Sequence, residues 1–231
     1  MLNDVLIVTR KEVLDILQHR IPLLLSLATT IYLGFFSPIN LLATFSGLLG
    51  GLQPTVDLYL TFFYMATGSI MSWGLTTQSF TGDKAKVETL LTTPLSMHAI
   101  WLGKTLVLFL FCYVTASFCA IGFVVYVNLQ SATGLILPSI FGGLSALFCP
   151  IALFGVMALN NLIQLKLAQP IIGQFVYFGF IFALYRTGTH FGSNLGITTV
   201  LGYAALILVI LLAVTLLAKS LKKEKIILSL G

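Results

Sequence analysis

From Thr105 to Leu165 the chain carries no charged residue, and the stretches 21–56, 58–82 and 187–218 are equally empty of charge. A helix needs about 20 consecutive apolar residues to cross a bilayer, and these runs supply that length several times over. Only 8% of the 231 residues are charged and 58% are hydrophobic, whereas a soluble domain carries about a quarter charged residues. No soluble core hides so much apolar surface. The solvent is a bilayer, where backbone polar groups must be satisfied within the segment, so the expected fold is an all-α integral membrane protein. Asp4, Arg10, Lys11, Glu12 and Asp15 interrupt any apolar core of a cleaved signal peptide. Cys112, Cys119 and Cys149 fall inside apolar runs and are expected as small buried side chains, not as disulfides or metal ligands.

In chain order, residues 1–20 form an interfacial segment, 21–79 spans one and two, 80–96 a cytoplasmic segment, 97–218 spans three to six, and 219–231 a basic tail, all within one domain. Residues 2–19 are too polar to span. On a helical wheel Leu2, Val5, Leu6, Val13, Ile16 and Leu17 gather opposite Asp4, Lys11, Asp15 and Gln18, as in an amphipathic interfacial helix. Six spans follow, over about 21–36, 58–79, 99–127, 134–159, 170–185 and 197–218. The first is short for a core about 30 Å thick, which points to a continuation past Pro38 with a kink. Residues 38–56 are an apolar, glycine-bearing connection open to three forms: loop, short interfacial helix or part of a re-entrant segment. The fourth span carries Pro138 and Pro150 as expected kinks, and residues 160–169 read as a polar connection.

With six spans, every basic residue except Arg186 falls on one side. The positive-inside rule makes that side cytoplasmic, with both termini inside a cell (plasma) membrane. Juxtamembrane lysines then meet anionic lipid, and the net charge of +5 needs no nucleic acid.

The inventory for chemistry is thin. The seven carboxylates are expected at or outside span ends, the three histidines are far apart, and no metal-ligand spacing or phosphate-cradling Gly-x-x-x-x-Gly-Lys-Ser/Thr occurs. No catalytic residue, metal site or bound cofactor is expected in this chain. Ser72, Thr76 and Gln78 near the end of span two and Gln174 in span five are candidate pathway-wall residues; for any one of them interhelical hydrogen bonding is the favoured reading.

The longest polar interruption is residues 80–104. Thr81-Gly82-Asp83 offers a turn and N-cap, a helix from Lys84 sets Val87, Leu90 and Leu91 on one side, and Thr93-Pro94 stops it. Ser96 offers a second N-cap for a long apolar helix. By physics alone this is a short amphipathic helix at the membrane surface, either an ordinary loop or a docking element.

The pattern Glu88-Thr89-Leu90-Leu91-Thr92-Thr93-Pro94-Leu95-Ser96, with Ile100 and Gly103-Lys104 downstream, resembles the membrane subunits of ABC-2 type transporters. Lys11-Glu12 and Arg20 match that family's N-terminal interfacial helix, and Lys166 with Ala168-Gln169 its connection between spans four and five. Ala85-Lys86 departs from the family's usual Gly-Thr, and the external region 186–196 is short. The resemblance implies that residues 83–93 are a coupling helix docking on a separate ATP-binding subunit. Asp83, Lys84, Lys86 and Glu88 would make charged contacts, and Val87, Leu90 and Leu91 would pack. It further implies a second permease subunit, as homodimer or heterodimer, and ATP with magnesium held by the partner ATPase. Two other classes remain open: a stand-alone secondary carrier or channel, and an assembly factor for another membrane complex.

Overall fold

The structure, a computed structural model, describes residues 2–79, 95–131, 134–167, 179 and 197–219. Among them all regular structure is helical. Helix α1 is Leu2–Gln18, and His19 breaks the chain before α2, Arg20–Asn40. A π-helical turn at Tyr32–Phe36 and Pro38 lie within α2, so the first span does run past the proline. The connection that follows is helical. Helix α3, Leu42–Leu49, ends at Gly50, whose φ of 75° is the left-handed C-cap that glycine adopts without a Cβ clash. The segments Leu52–Leu58, Tyr59–Phe63 and Tyr64–Ser79 then run on as one helix, α4. Helices α5, Met97–Gln130, α6, Ile140–Leu167, and α7, Ile197–Lys219, complete the described chain.

Three helices, α2, α5 and residues 140–164 of α6, are long and apolar enough to cross a membrane; residues 204–219 of α7 form a shorter apolar helix. At 34 residues, α5 is about 50 Å long and outreaches a hydrocarbon core of about 30 Å. The most polar long helix, α4, is the hub of the bundle, packed by α2, α5 and α6. Its polar side chains are thereby kept from lipid: Thr61, Thr67, Ser69 and Ser72 are all buried. Helix α2 is turned the same way. Its buried stripe is Ser26, Thr30, Gly34 and Pro38, while Leu24, Leu25, Leu33 and Phe36 face outward. Small residues let the backbones approach. A Cβ on Gly74 would sit 2.5 Å from Ser26 Oγ, and one on Gly68 2.7 Å from Leu153.

Helix directions follow from these contacts. Ser26 meets Gly74 and Gly34 meets Thr67, so α2 and α4 are antiparallel. Tyr59 stacks on Phe123 and Tyr64 bonds Ser117, which makes α5 antiparallel to α4. Asp57 meets Gly142 and Gly68 meets Leu153, so α6 runs parallel to α4. Helix α7 runs with α6: Ile210 lies against Gly155, and the later Ala218 reaches the same turns of α5 as Ala158 does. One end of the bundle, its base, therefore gathers α1, the start of α2, the end of α4, the start of α5 and the ends of α6 and α7.

Several expected boundaries are corrected. Residues 160–167 of the expected polar connection are part of α6, with Asn160, Asn161 and Gln164 buried, because no glycine or proline stops the helix there. Pro138 precedes α6 and kinks nothing, whereas Pro150 does lie inside the helix. Asp57, expected outside the second span, is buried within the first turns of α4. It accepts from the Ser139 N–H at 2.8 Å and lies against Gly142, where a Cβ would come 2.2 Å from its Oδ1. Asp57→Ala strands that partly buried donor and is expected to cost about 1–3 kcal/mol, read as a lower melting temperature in detergent. Asp57→Asn, which keeps an acceptor, loses less than half as much.

Candidate functional site

The coupling segment with Asp83, Lys84, Lys86, Val87, Glu88, Leu90 and Leu91, Gln174 of the fifth span, and the side chains of Thr76 and Gln78 lie outside the described residues. What is described is the helix that receives the chain from that segment. Ser96 caps α5 as its sequence position suggests, accepting from the Ala99 N–H at 3.2 Å. Over the next two turns the helix is tied to three others. His98 Nε2–H donates to Ala218 O of α7 at 3.1 Å, and Trp101 Nε1–H donates to Ala158 O of α6 at 3.1 Å. A Cβ on Gly103 would fall 2.7 Å from Val8 Cβ of α1 and 3.1 Å from Val5 O. One residue on, Lys104 Nζ lies 3.3 Å from Glu12 Oε1, with Lys104 and Glu12 only 6% and 8% exposed. Val8, Met97, Ile100, Trp101, Val156 and Leu162 pack around these ties.

Each tie has a local cause. Glycine at 103 removes the side chain that would hold α1 away, so α1 settles into the notch and brings Glu12 to Lys104. Burial strengthens the attraction between the two charges while stripping each of water, so neither ion is tolerable alone. The buried stripe of α1 is accordingly Val5, Val8, Glu12 and Ile16. Of the apolar side expected for that interfacial helix, Val5 and Ile16 pack inward, whereas Leu2, Leu6 and Leu17 are exposed. The placement of Lys104 is corrected: it is buried against Glu12 and not directed at lipid headgroups. Lys11 and Arg20 are exposed, so of the three residues expected to mark the interfacial helix only Glu12 joins the node.

Ser72, one of the candidate wall residues, is fully buried in α4. All three cysteines are buried. Among the described residues no group of histidine, cysteine and carboxylate side chains converges as a metal site would require. Sequence reasoning missed the ion pair because Glu12 and Lys104 are 92 positions apart. The available signal was Glu12 falling in register with Val5, Val8 and Ile16 at helical spacing. Trp101→Phe removes one tie and leaves Ala158 O without its donor. The expected loss is about 1 kcal/mol, measurable as a fall in melting temperature of about 3 °C.

Fold and site define the class as a helical protein embedded in a membrane. Comparison with known proteins goes no further: no protein-family model, curated protein or solved structure matches the chain.

Proposed function

We propose that the chain is the permease subunit of an ATP-driven exporter of the ABC-2 type, coupled through residues 83–93 to a separate ATP-binding subunit. The observation that carries this reading is the locked base of α5. Because α5 continues directly from the segment 80–96, a displacement there is delivered through His98, Trp101, Gly103 and Lys104 to α7, α6 and α1 together. A packed, multiply tied base moves as a body and does not yield locally, which rigid-body coupling requires. Six spans belong to the proposal, with both termini on the cytoplasmic side of the plasma membrane. The parallel course of α6 and α7 supports that count, since a single fifth span between them brings the chain back across. Arg10, Lys11, Arg20, Lys104 and Lys219 all belong to base elements, as the positive-inside rule asks of a cytoplasmic face.

Two permease subunits would enclose the pathway, and two ATPases holding ATP and magnesium would close below them. Mass measurement of the intact complex, drawn from its native membrane in mild detergent, tests the assembly. The expected species contains the 25.1 kDa chain, a second permease copy and two subunits that bind ATP. A chain that emerges alone, with no nucleotide-binding partner at any detergent concentration that keeps it folded, overturns the proposal.

A further inference from the structure

Near the base of α6, three amide side chains sit within about one helical turn. On a helix of 3.6 residues per turn, Asn160, Asn161 and Gln164 share an arc of about 100°, and they are 0%, 0% and 6% exposed. Asn160 Oδ1 and Nδ2, Asn161 Oδ1 and Gln164 Oε1 have no hydrogen-bond partner among the described residues. Native interiors rarely leave buried polar atoms unsatisfied, and several on one face point to a ligand.

The polarity of the site is set from α5. The Thr105 hydroxyl donates its one proton to Trp101 O at 2.9 Å. It can therefore only accept from Asn161, whose Nδ2–H reaches it at 3.0 Å. That bond turns the Asn161 carbonyl away from Thr105 as a free acceptor. Asn160 and Gln164 each present a carbonyl oxygen whichever way their amides are turned. The unpartnered atoms are thus three acceptor oxygens against one donor nitrogen, Asn160 Nδ2, all without formal charge. Gln164 also lies in the last turn of α6, where the helix macrodipole is negative. Lys104 of α5, next to Thr105, is paired with Glu12 at 3.3 Å, so its charge does not stand unbalanced beside the amides.

We infer that Asn160, Asn161 and Gln164 form a binding site for a monovalent alkali cation. Neutral carbonyl oxygens can replace the hydration shell of such an ion. Calcium and magnesium sites in proteins are typically built on carboxylates, and this one has none. The bound ion would join α6 to α5 just where the chain enters from the segment 80–94. This inference is independent of the transport proposal, since it concerns the isolated chain.

The test is thermal unfolding of the purified full chain in detergent at constant ionic strength, with choline chloride replaced stepwise by sodium, potassium or caesium chloride. The expected result is a saturable rise in melting temperature of about 2–4 °C with one or two of the alkali ions and none with choline. Gln164→Met and Asn160→Leu, close in volume and free of unsatisfied oxygens, should abolish the ion-specific rise while melting no lower than the parent in choline. Gln164→Glu adds a charge to the same ligand position. It should lower the half-saturating cation concentration at least threefold, which a purely packing role would not do. Equal melting in all four salts means the amides hold water alone, and overturns the inference. So does an ion-specific rise that survives in both the methionine and leucine variants.

Discussion

Lys104→Met should lower the melting temperature of the detergent-purified protein by roughly 10 °C, the largest loss expected from any single substitution at the base. The substitution keeps a long apolar stem in place, so packing is nearly conserved and the loss is electrostatic. Glu12, 8% exposed, would keep a carboxylate facing α5 with its cation gone. Breaking a buried pair in this way costs about 3–5 kcal/mol, and at 2–4 °C per kcal/mol for a chain of this size the shift follows. The double variant Glu12→Leu/Lys104→Met removes both charges and should recover most of the loss, because a buried ion pair and an apolar pair of similar volume are often close in stability. A single variant that melts within 2 °C of the parent would mean that water reaches the pair and screens it.

Gly103→Val is expected to act on the same junction by sterics. The new Cβ would meet Val8 Cβ and Cγ1 at 2.7 Å and Val5 O at 3.1 Å. A β-branched side chain and a backbone oxygen cannot yield by rotamer change, so α1 itself must move off α5. Overpacking alone costs about 1–3 kcal/mol. Displacing α1 also pulls Glu12 from Lys104 one residue along, so the total should approach that of Lys104→Met. Because the two effects share one contact, Gly103→Val/Lys104→Met should melt well above the sum of the single losses. Val8→Ala should restore part of Gly103→Val, with Val5 O still in the way. Full additivity would separate the glycine notch from the ion pair and break the argument that one makes the other.

Legibility divides along physical lines. The long helices were readable because charge-free length is itself the signal: α2, α5 and α7 fall within a few residues of the spans expected from the sequence. The interior was harder. In a bilayer the periodicity argument loses its sign, since lipid accepts leucine as readily as a core does. Helix α1 shows the consequence: its expected apolar side divides, with Val5 and Ile16 packed inward and Leu2, Leu6 and Leu17 exposed, and Val8 and Glu12 are buried because Gly103 and Lys104 receive them. Asn160 and Gln164 looked like the start of a loop for the same reason, their polarity being taken as exposure when it marks an inward face. Ser96 was legible as a cap because capping is local. The partners of His98 and Trp101 were not, since both lie on helices far along the chain.

The most direct measurement places a photo-reactive residue at Thr89, in the middle of the segment proposed to couple, and irradiates native membranes. The expected product is a single adduct with a soluble subunit that carries a nucleotide-binding Gly-x-x-x-x-Gly-Lys-Ser/Thr sequence, lost when Glu88→Lys is introduced and retained in the Glu12→Leu/Lys104→Met variant, whose base remains packed. Adducts with lipid alone, from a protein that still melts as the parent does, would contradict the coupling of this chain to an ATPase.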